Sequence, residues 1–298
     1  MSIKITIQDM IRKSSVFANE WKNETSEAAE SQTFWNEFFG IFGIVRKRVA
    51  YFENQMNRLS NRSGQGRADV FWPRYILAEQ KSKNRNLNKA MKQVKEYSEN
   101  LKNHEKPRIL VVCDFANFIV FEVEKNETTS FKIEDLPSHI ELFKFMAGHD
   151  KIVVNNKPEA NTQAAELFGR LYDALKIQGY AGRDLEILLV RILFCVFAED
   201  SKIFDLGSFS QLMYGTKEDG SDIGNVLVVL FETLNTQEKK RQKNLDERFL
   251  DFPYINGQLF SEPIKTPMFD SAIRDRILDI CSFRWSEISP SIFGSMFQ

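Results

Sequence analysis

Three charged side chains punctuate an otherwise apolar stretch, GRADVFWPRYILAEQKS at residues 66–82. Asp69 stands before the aromatic and aliphatic run, and Glu79 and Lys81 stand at its end. Successive side chains of a strand point to opposite faces, so a strand over YILAEQKS puts Leu77, Glu79 and Lys81 on one face and Ile76, Ala78 and Gln80 on the other. Pro73 divides the stretch into two strands, and antiparallel pairing across that turn brings Asp69 opposite Glu79. Two carboxylates so close repel unless a cation lies between them, and oxygen-only ligands at an accessible sheet end suit Mg²⁺. A lysine beside them is the right group to orient a water or stabilise a charged phosphate, while the metal lowers the pKa of that water. The chemistry that this spacing favours is metal-dependent phosphodiester hydrolysis. A cross-strand ion pair on a half-exposed sheet is the alternative. The Asp/Glu-x-Lys tripeptide alone is unspecific, since Glu20-Trp21-Lys22, Asp200-Ser201-Lys202 and Glu238-Lys239-Lys240 share it. None of those follows a strand that ends in Asp.

The elements that must position these residues are legible nearby. Residues 5–23 and 26–43 carry apolar positions at helical spacing, with Phe34, Phe38, Phe39 and Phe42 on one broad face. A strand follows in RVAYFENQM, then a polar loop, NRSGQG, then the two strands around Pro73. LNKAMKQVKEYSENL, residues 87–101, is a helix whose Leu87, Met91, Val94, Tyr97 and Leu101 share a face and whose back is rich in lysine. Gln93 and Tyr97 lie four apart, so the helix can aim Gln93 at the site and Tyr97 at a nucleic acid; a core-facing Tyr97 with a surface Gln93 is the other arrangement. Glu37, alone among aromatics in FWNEFFGIFG, is a third ligand for metal or water or, more commonly for a glutamate, a solvent-facing residue. RILVVCDFANFIVFEVE reads as a buried strand, a turn over residues 114–117 and a second strand. The order helix, strand, strand, strand, helix, strand, strand describes an α/β unit around one sheet. KIVVNNKPEANTQ, residues 151–163, is polar and holds a proline, and it divides a domain over 1–155 from one over 160–298. The second is all helical, with DLEILLVRILFCVFAED apolar nearly all round.

Composition limits the alternatives. Hydrophobic residues at 43% and charged residues at 27% exclude a disordered chain. The longest apolar run, Ile187 to Ala198, is broken by Arg191 and is shorter than the roughly 20 residues a bilayer requires, so no membrane partner is expected. Cys113, Cys195 and Cys281 are far apart in apolar settings and read as buried thiols of a cytoplasmic protein. His104, His139 and His149 are scattered, which argues against a histidine metal site. A net charge of −1 conceals an uneven distribution: residues 44–108 hold sixteen Lys and Arg against six Asp and Glu. That window is +10, as expected either of a phosphate-binding surface or of a solvated helix face.

Asp69, then Glu79-Gln80-Lys81, then Gln93 and Tyr97 resemble the PD-(D/E)XK nuclease pattern, with the Q-x-x-x-Y helix of its RecB-like branch. FWNEFFGIFGI, RVAYFE, ADVFWP, AEQKS, KAMKQVKEY and PRILVVCDFANFIVFEVE are similar, in that order, to the N-terminal endonuclease segment of the MmeI-like single-chain restriction-modification enzymes, type IIG/IIL. LLVRILFCVFAEDSKIF, LFETLNT, FPYINGQLF and ISPSIFGSMFQ resemble the helical connector of the same family. The resemblance implies a restriction-endonuclease-like α-β-β-β-α-β core followed by an all-α domain. It implies that Asp69, Glu79 and the carbonyl of Gln80 hold Mg²⁺, or Mn²⁺ in its place, that Lys81 positions the attacking water, and that Gln93 supports the site. The expected substrate is double-stranded DNA. The expected partners are a methyltransferase using S-adenosylmethionine and a target-recognition domain, for which this chain carries no Asn-Pro-Pro-Tyr-like tetrapeptide. Gln80 occupies a position where an aliphatic residue is commoner.

Overall fold

The computed structural model describes residues 5–25, 27–44, 51–52, 68–83, 85–149, 158–285 and 288. The NRSGQG loop, most of the strand expected in RVAYFENQM and residues 151–157 of the 151–163 segment lie outside the described residues. The chain divides into two compact units, Met1–Asp150 and Lys151–Gln298.

The first unit opens with α1 (Ile7–Trp21) and α2 (Glu27–Ile41). Thr6 caps α1 by accepting from the Asp9 N–H, and the Asp9 carboxylate reaches back to the cap, which satisfies donors that a helix start leaves open. Among the described residues six strands follow: β1 (Tyr51–Phe52), β2 (Val70–Trp72), β3 (Ile76–Gln80), β4 (Ile109–Cys113), β5 (Asn117–Glu122) and β6 (Glu127–Lys132). They lie side by side in chain order. Only β3 and β4 are parallel, and α3 (Leu87–Glu99) connects them as parallel strands require. The other neighbours are antiparallel.

The two faces of the sheet have different coverings. Leu77, Leu110, Val112 and Ile119 pack with Leu87, Ala90, Met91 and Val94 of α3. Opposite them, Phe34 and Phe38 stack on Phe118 with ring centroids 6.2 Å apart, and Phe39 meets Trp72 at 6.0 Å. This second layer accounts for much of the phenylalanine in the N-terminal half: Phe34, Phe38 and Phe39 are fully buried. β6 has no counterpart in the sequence reading. Its ETTSFK buries only Phe131 fully, so an edge strand of this kind carries almost no apolar alternation.

The second unit consists of helices α4 (Pro158–Ile177), α5 (Arg183–Asp200), α6 (Ser208–Tyr214), α7 (Ile223–Asn235), α8 (Glu247–Leu250) and α9 (Ser271–Ser282). The short α6 and α8 were not expected. α5 buries residues on most of its circumference, Arg191 among them. Arg191 donates to the carbonyls of Leu259 (2.8 Å) and Glu262 (2.5 Å), and its guanidinium lies over the rings of Phe231 and Phe260. That contact fastens the FPYINGQLF loop. No helix among the described residues is long and apolar enough to cross a membrane, and all three cysteines are free and buried.

Candidate functional site

The β2–β3 register pairs Val70 with Ala78. The split at Pro73 leads one to expect that pairing to continue to Asp69 and Glu79, but the strand pairing ends at Val70 and Ala78. The Asp69 N–H donates at 3.0 Å to the carbonyl of Ala78, the residue already paired with Val70, so the chain bends out of register at Asp69. Asp69 is then held from its other end, where Oδ2 accepts from the Gln80 N–H at 2.5 Å. A carboxylate fixed by a backbone donor loses little rotamer freedom on meeting a ligand.

Glu79 and Lys81 share the α3 face of β3 with Leu77, as strand alternation requires. Their side chains are largely covered, at 14% and 27% exposure, and the Lys81 ammonium donates to Glu79 Oε1. The Lys81 backbone N–H donates to Cys113 O at 2.8 Å, so β4 anchors the residue that follows the strand. Gln80 points to the other face and is fully buried; its Oε1 accepts from the Cys113 thiol at 2.8 Å. This answers the polar residue at an aliphatic position in part, since Nε2 has no hydrogen-bond partner among the described residues.

One carboxylate of this sheet end escaped the sequence reading. Asp114, almost fully buried, follows β4 and accepts from the Asn117 N–H (2.8 Å) and Nδ2 (3.1 Å), closing the turn into β5. The Cys113 thiol is pushed well above the ordinary range by its burial, and the carboxylates of Asp69, Asp114 and Glu79 each raise it further. One thiol feeling all three places them at one end of the sheet. The available signal was the Asp-x-x-Asn spacing between two apolar strands, which marks a turn and says nothing of depth.

The remaining candidates are arranged as follows. Gln93 is exposed on α3, whereas Tyr97 packs half-buried against the core with Leu101 and Phe121. Burial, with a contribution from Glu105, pushes the Tyr97 hydroxyl up to about 12. Glu37 is exposed, and its Oε2 accepts from Trp21 Nε1 at 2.7 Å. Trp21 in turn stacks on Phe115, centroids 5.8 Å apart and planes 9° from parallel, which ties both helices to the turn after β4.

Among the described residues no group of three His, Cys, Asp or Glu side chains could by itself hold a metal ion. The donors present are two carboxylates, Asp69 just before β2 and Glu79 near the end of β3. Such a set fits Mg²⁺, which binds through one or two carboxylates and keeps several waters, better than it fits metals held in all-protein cages.

Residues 12–178 match the family described as "MmeI, N-terminal domain", and residues 183–260 match "MmeI, helicase spacer domain". DNA methyltransferase A of Bacillus subtilis (strain 168) is 31% identical over 270 residues, covering 89% of this chain and 30% of that protein. A solved structure described as the type IIL restriction-modification enzyme MmeI in complex with DNA is 54% identical; the match covers 46% of this chain and 18% of that one, with a TM-score of 0.44. The chain thus spans less than a third of either relative.

Proposed function

The chain belongs to the MmeI family, and from that premise we propose that its first unit is a Mg²⁺-dependent DNA endonuclease module of a restriction-modification enzyme. The observation that carries this reading is Asp69 fixed on the N–H of Gln80, the residue after Glu79, with the Lys81 ammonium on Glu79. The order α2-β1-β2-β3-α3-β4 supports a PD-(D/E)XK core, since it repeats the α-β-β-β-α-β order that such nucleases imply.

In this reading Asp69 and Glu79 hold Mg²⁺ or Mn²⁺, with the Gln80 carbonyl as a further ligand. When bound, the ion lowers the pKa of a water and offsets charge on the scissile phosphate. Asp69, fixed by the Gln80 N–H, keeps its position whether or not charge is gathering beside it. Lys81, whose ammonium donates to Glu79, would orient the attacking water and donate to a phosphate oxygen as negative charge develops. Gln93 supports from α3, and Glu37 and Tyr97 are further supporting candidates. The basic window from residue 44 to 108 contacts backbone phosphates, so affinity for double-stranded DNA falls steeply with salt. The helical unit is a rigid spacer toward a methyltransferase that uses S-adenosylmethionine and a target-recognition domain, which supply sequence choice.

The name of the Bacillus relative, a methyltransferase, favours a second reading in which the fold serves methylation as an idle DNA-binding scaffold. Nicking of supercoiled plasmid at low salt with Mg²⁺ or Mn²⁺ separates the two. The nuclease reading expects metal-dependent nicking that is lost in Asp69→Ala and Lys81→Ala. No nicking together with no metal binding by titration leaves the scaffold.

A further inference from the structure

The end of the sheet that carries Lys81 continues past it. β4 leaves the sheet at Asp114, β5 enters at Asn117, and β6 ends at Lys132, which pairs with Asn117. These termini lie in a row because β3 and β4 are parallel while β5 runs back and β6 returns. The start of α3 stands over the same row, capped by Asn86. Between helix start and strand ends lie two adjoining depressions of about 550 and 620 Å³, which share Leu87, Asn88 and Asn117 in their linings. Together they form one groove across the sheet end, perpendicular to the strands.

The lining is polar and carries donors. Arg85 stands at one end and Lys132 toward the other, with Asn88, Asn117 and Ser130 between, and these five are exposed. Asp114 also lines it, but its carboxylate is occupied by Asn117. Asp135 marks the outer end. Exposed Lys83, Lys89 and Lys92 add positive charge beside the groove, on the loop before α3 and on its first turns. The lining runs from Asp114 after β4 to β6, two strand spacings of about 4.8 Å, or roughly 10 Å.

We propose that this groove holds the backbone of one DNA strand flanking the candidate scissile phosphate, with Arg85 and Lys132 on phosphates and Asn88 and Asn117 as amide donors. The inference rests on the nuclease reading for the place where the strand begins, and on the groove for its course. Phosphate contacts of this kind fix register without reading bases, which suits a module whose sequence choice resides elsewhere.

Fluorescence anisotropy of the chain with a labelled DNA oligonucleotide, single-stranded and duplex, without divalent ions, measures this contact apart from cleavage. Arg85→Ala and Lys132→Ala should each reduce the slope of log affinity against log salt by about 0.7 to 0.9, and the double variant should bind on the order of tenfold more weakly at low salt. Lys125→Ala removes one charge from the β5–β6 turn at the opposite end of the sheet and should stay within about twofold of wild type. A double variant that binds like wild type overturns the groove, as does an equal loss in Lys125→Ala or no DNA binding by wild type at low salt. The two readings fail separately. Groove-dependent binding without nicking keeps the groove and removes the nuclease; nicking abolished by Lys81→Ala but with an unchanged KM in the double variant does the reverse.

Discussion

The sheet unit and the helical unit both place charged groups among apolar ones, and they use them differently. In the helical unit the buried charges are turned inward onto the chain. Arg274 donates to Thr216 Oγ1 and to the carbonyls of Tyr214 and Thr216, Arg191 donates to those of Leu259 and Glu262, and Glu199 accepts from Ser210 N–H and Oγ. These contacts replace the hydrogen bonds to water that burial removes. In the sheet unit Asp69, Glu79 and Lys81 gather at one end of one strand pair, partly exposed, with Asp69 on the Gln80 N–H and Lys81 on Glu79. The same residue types therefore serve structure in one unit and, in our reading, chemistry in the other.

The comparison breaks most visibly through substitutions that each unit should answer in its own way. Asp69→Ala or Glu79→Ala should lower the nicking rate by at least about a hundredfold and weaken Mn²⁺ binding in a titration, while the melting temperature changes little. Arg274→Ala should do the opposite. Loss of its donors strands buried oxygens and should destabilise the helical unit by about 2–3 kcal/mol in denaturant unfolding, with nicking per folded molecule unchanged. Intermediate in kind is Asn86→Ala. It removes the acceptor for the Lys89 N–H at the start of α3 and should cost about 1 kcal/mol, with a modest loss of nicking because α3 overlies the site face.

The smallest effect concerns pH. Burial raises Tyr97 in the sheet unit and Tyr180 in the helical unit, each to about 12 from an ordinary value of 10.0. Between those values the unfolded chain has released protons that the folded chain retains. Stability is therefore whole below about pH 10 and falls as pH rises toward about 12. Tyr97→Phe should make that decline shallower in alkaline thermal melts. An unaltered slope would mean that the hydroxyl is not held in its neutral form by the fold.

How far the sequence discloses this arrangement depends on how local its causes are. The nearness of Asp69 to the end of β3 is legible because one proline folds the two strands together, and the shared face of Glu79 and Lys81 because alternation determines it. The two faces of α3 are legible in outline, since Leu87, Met91 and Val94 recur at helical spacing. The depth of Gln93 and Tyr97 is not. Four residues along a helix put them on neighbouring positions, but the edge of the apolar stripe runs between them, leaving one in water and the other half-buried against the core. Asp114 is hidden for a related reason: a turn-forming aspartate is ordinarily exposed, whereas this one is almost fully buried beside Phe115, on which Trp21 stacks. β6 pairs through its backbone with mostly polar side chains outward, so periodicity does not reveal it. Arg191 reads in the sequence as an interruption of an apolar run. Its partners, the Leu259 and Glu262 carbonyls, are about seventy residues away, beyond any local pattern.

The most direct test of the chemical reading is a side-by-side comparison of wild type and Lys81→Ala, with Mn²⁺ binding measured by titration and plasmid nicking measured in the same buffer. If Asp69 and Glu79 hold the ion and Lys81 acts on water and phosphate, the variant still binds Mn²⁺ but nicks at least about a hundredfold more slowly. A variant that nicks as fast as wild type would contradict the account, because the ammonium on Glu79 would then be an ion pair of the sheet and nothing more.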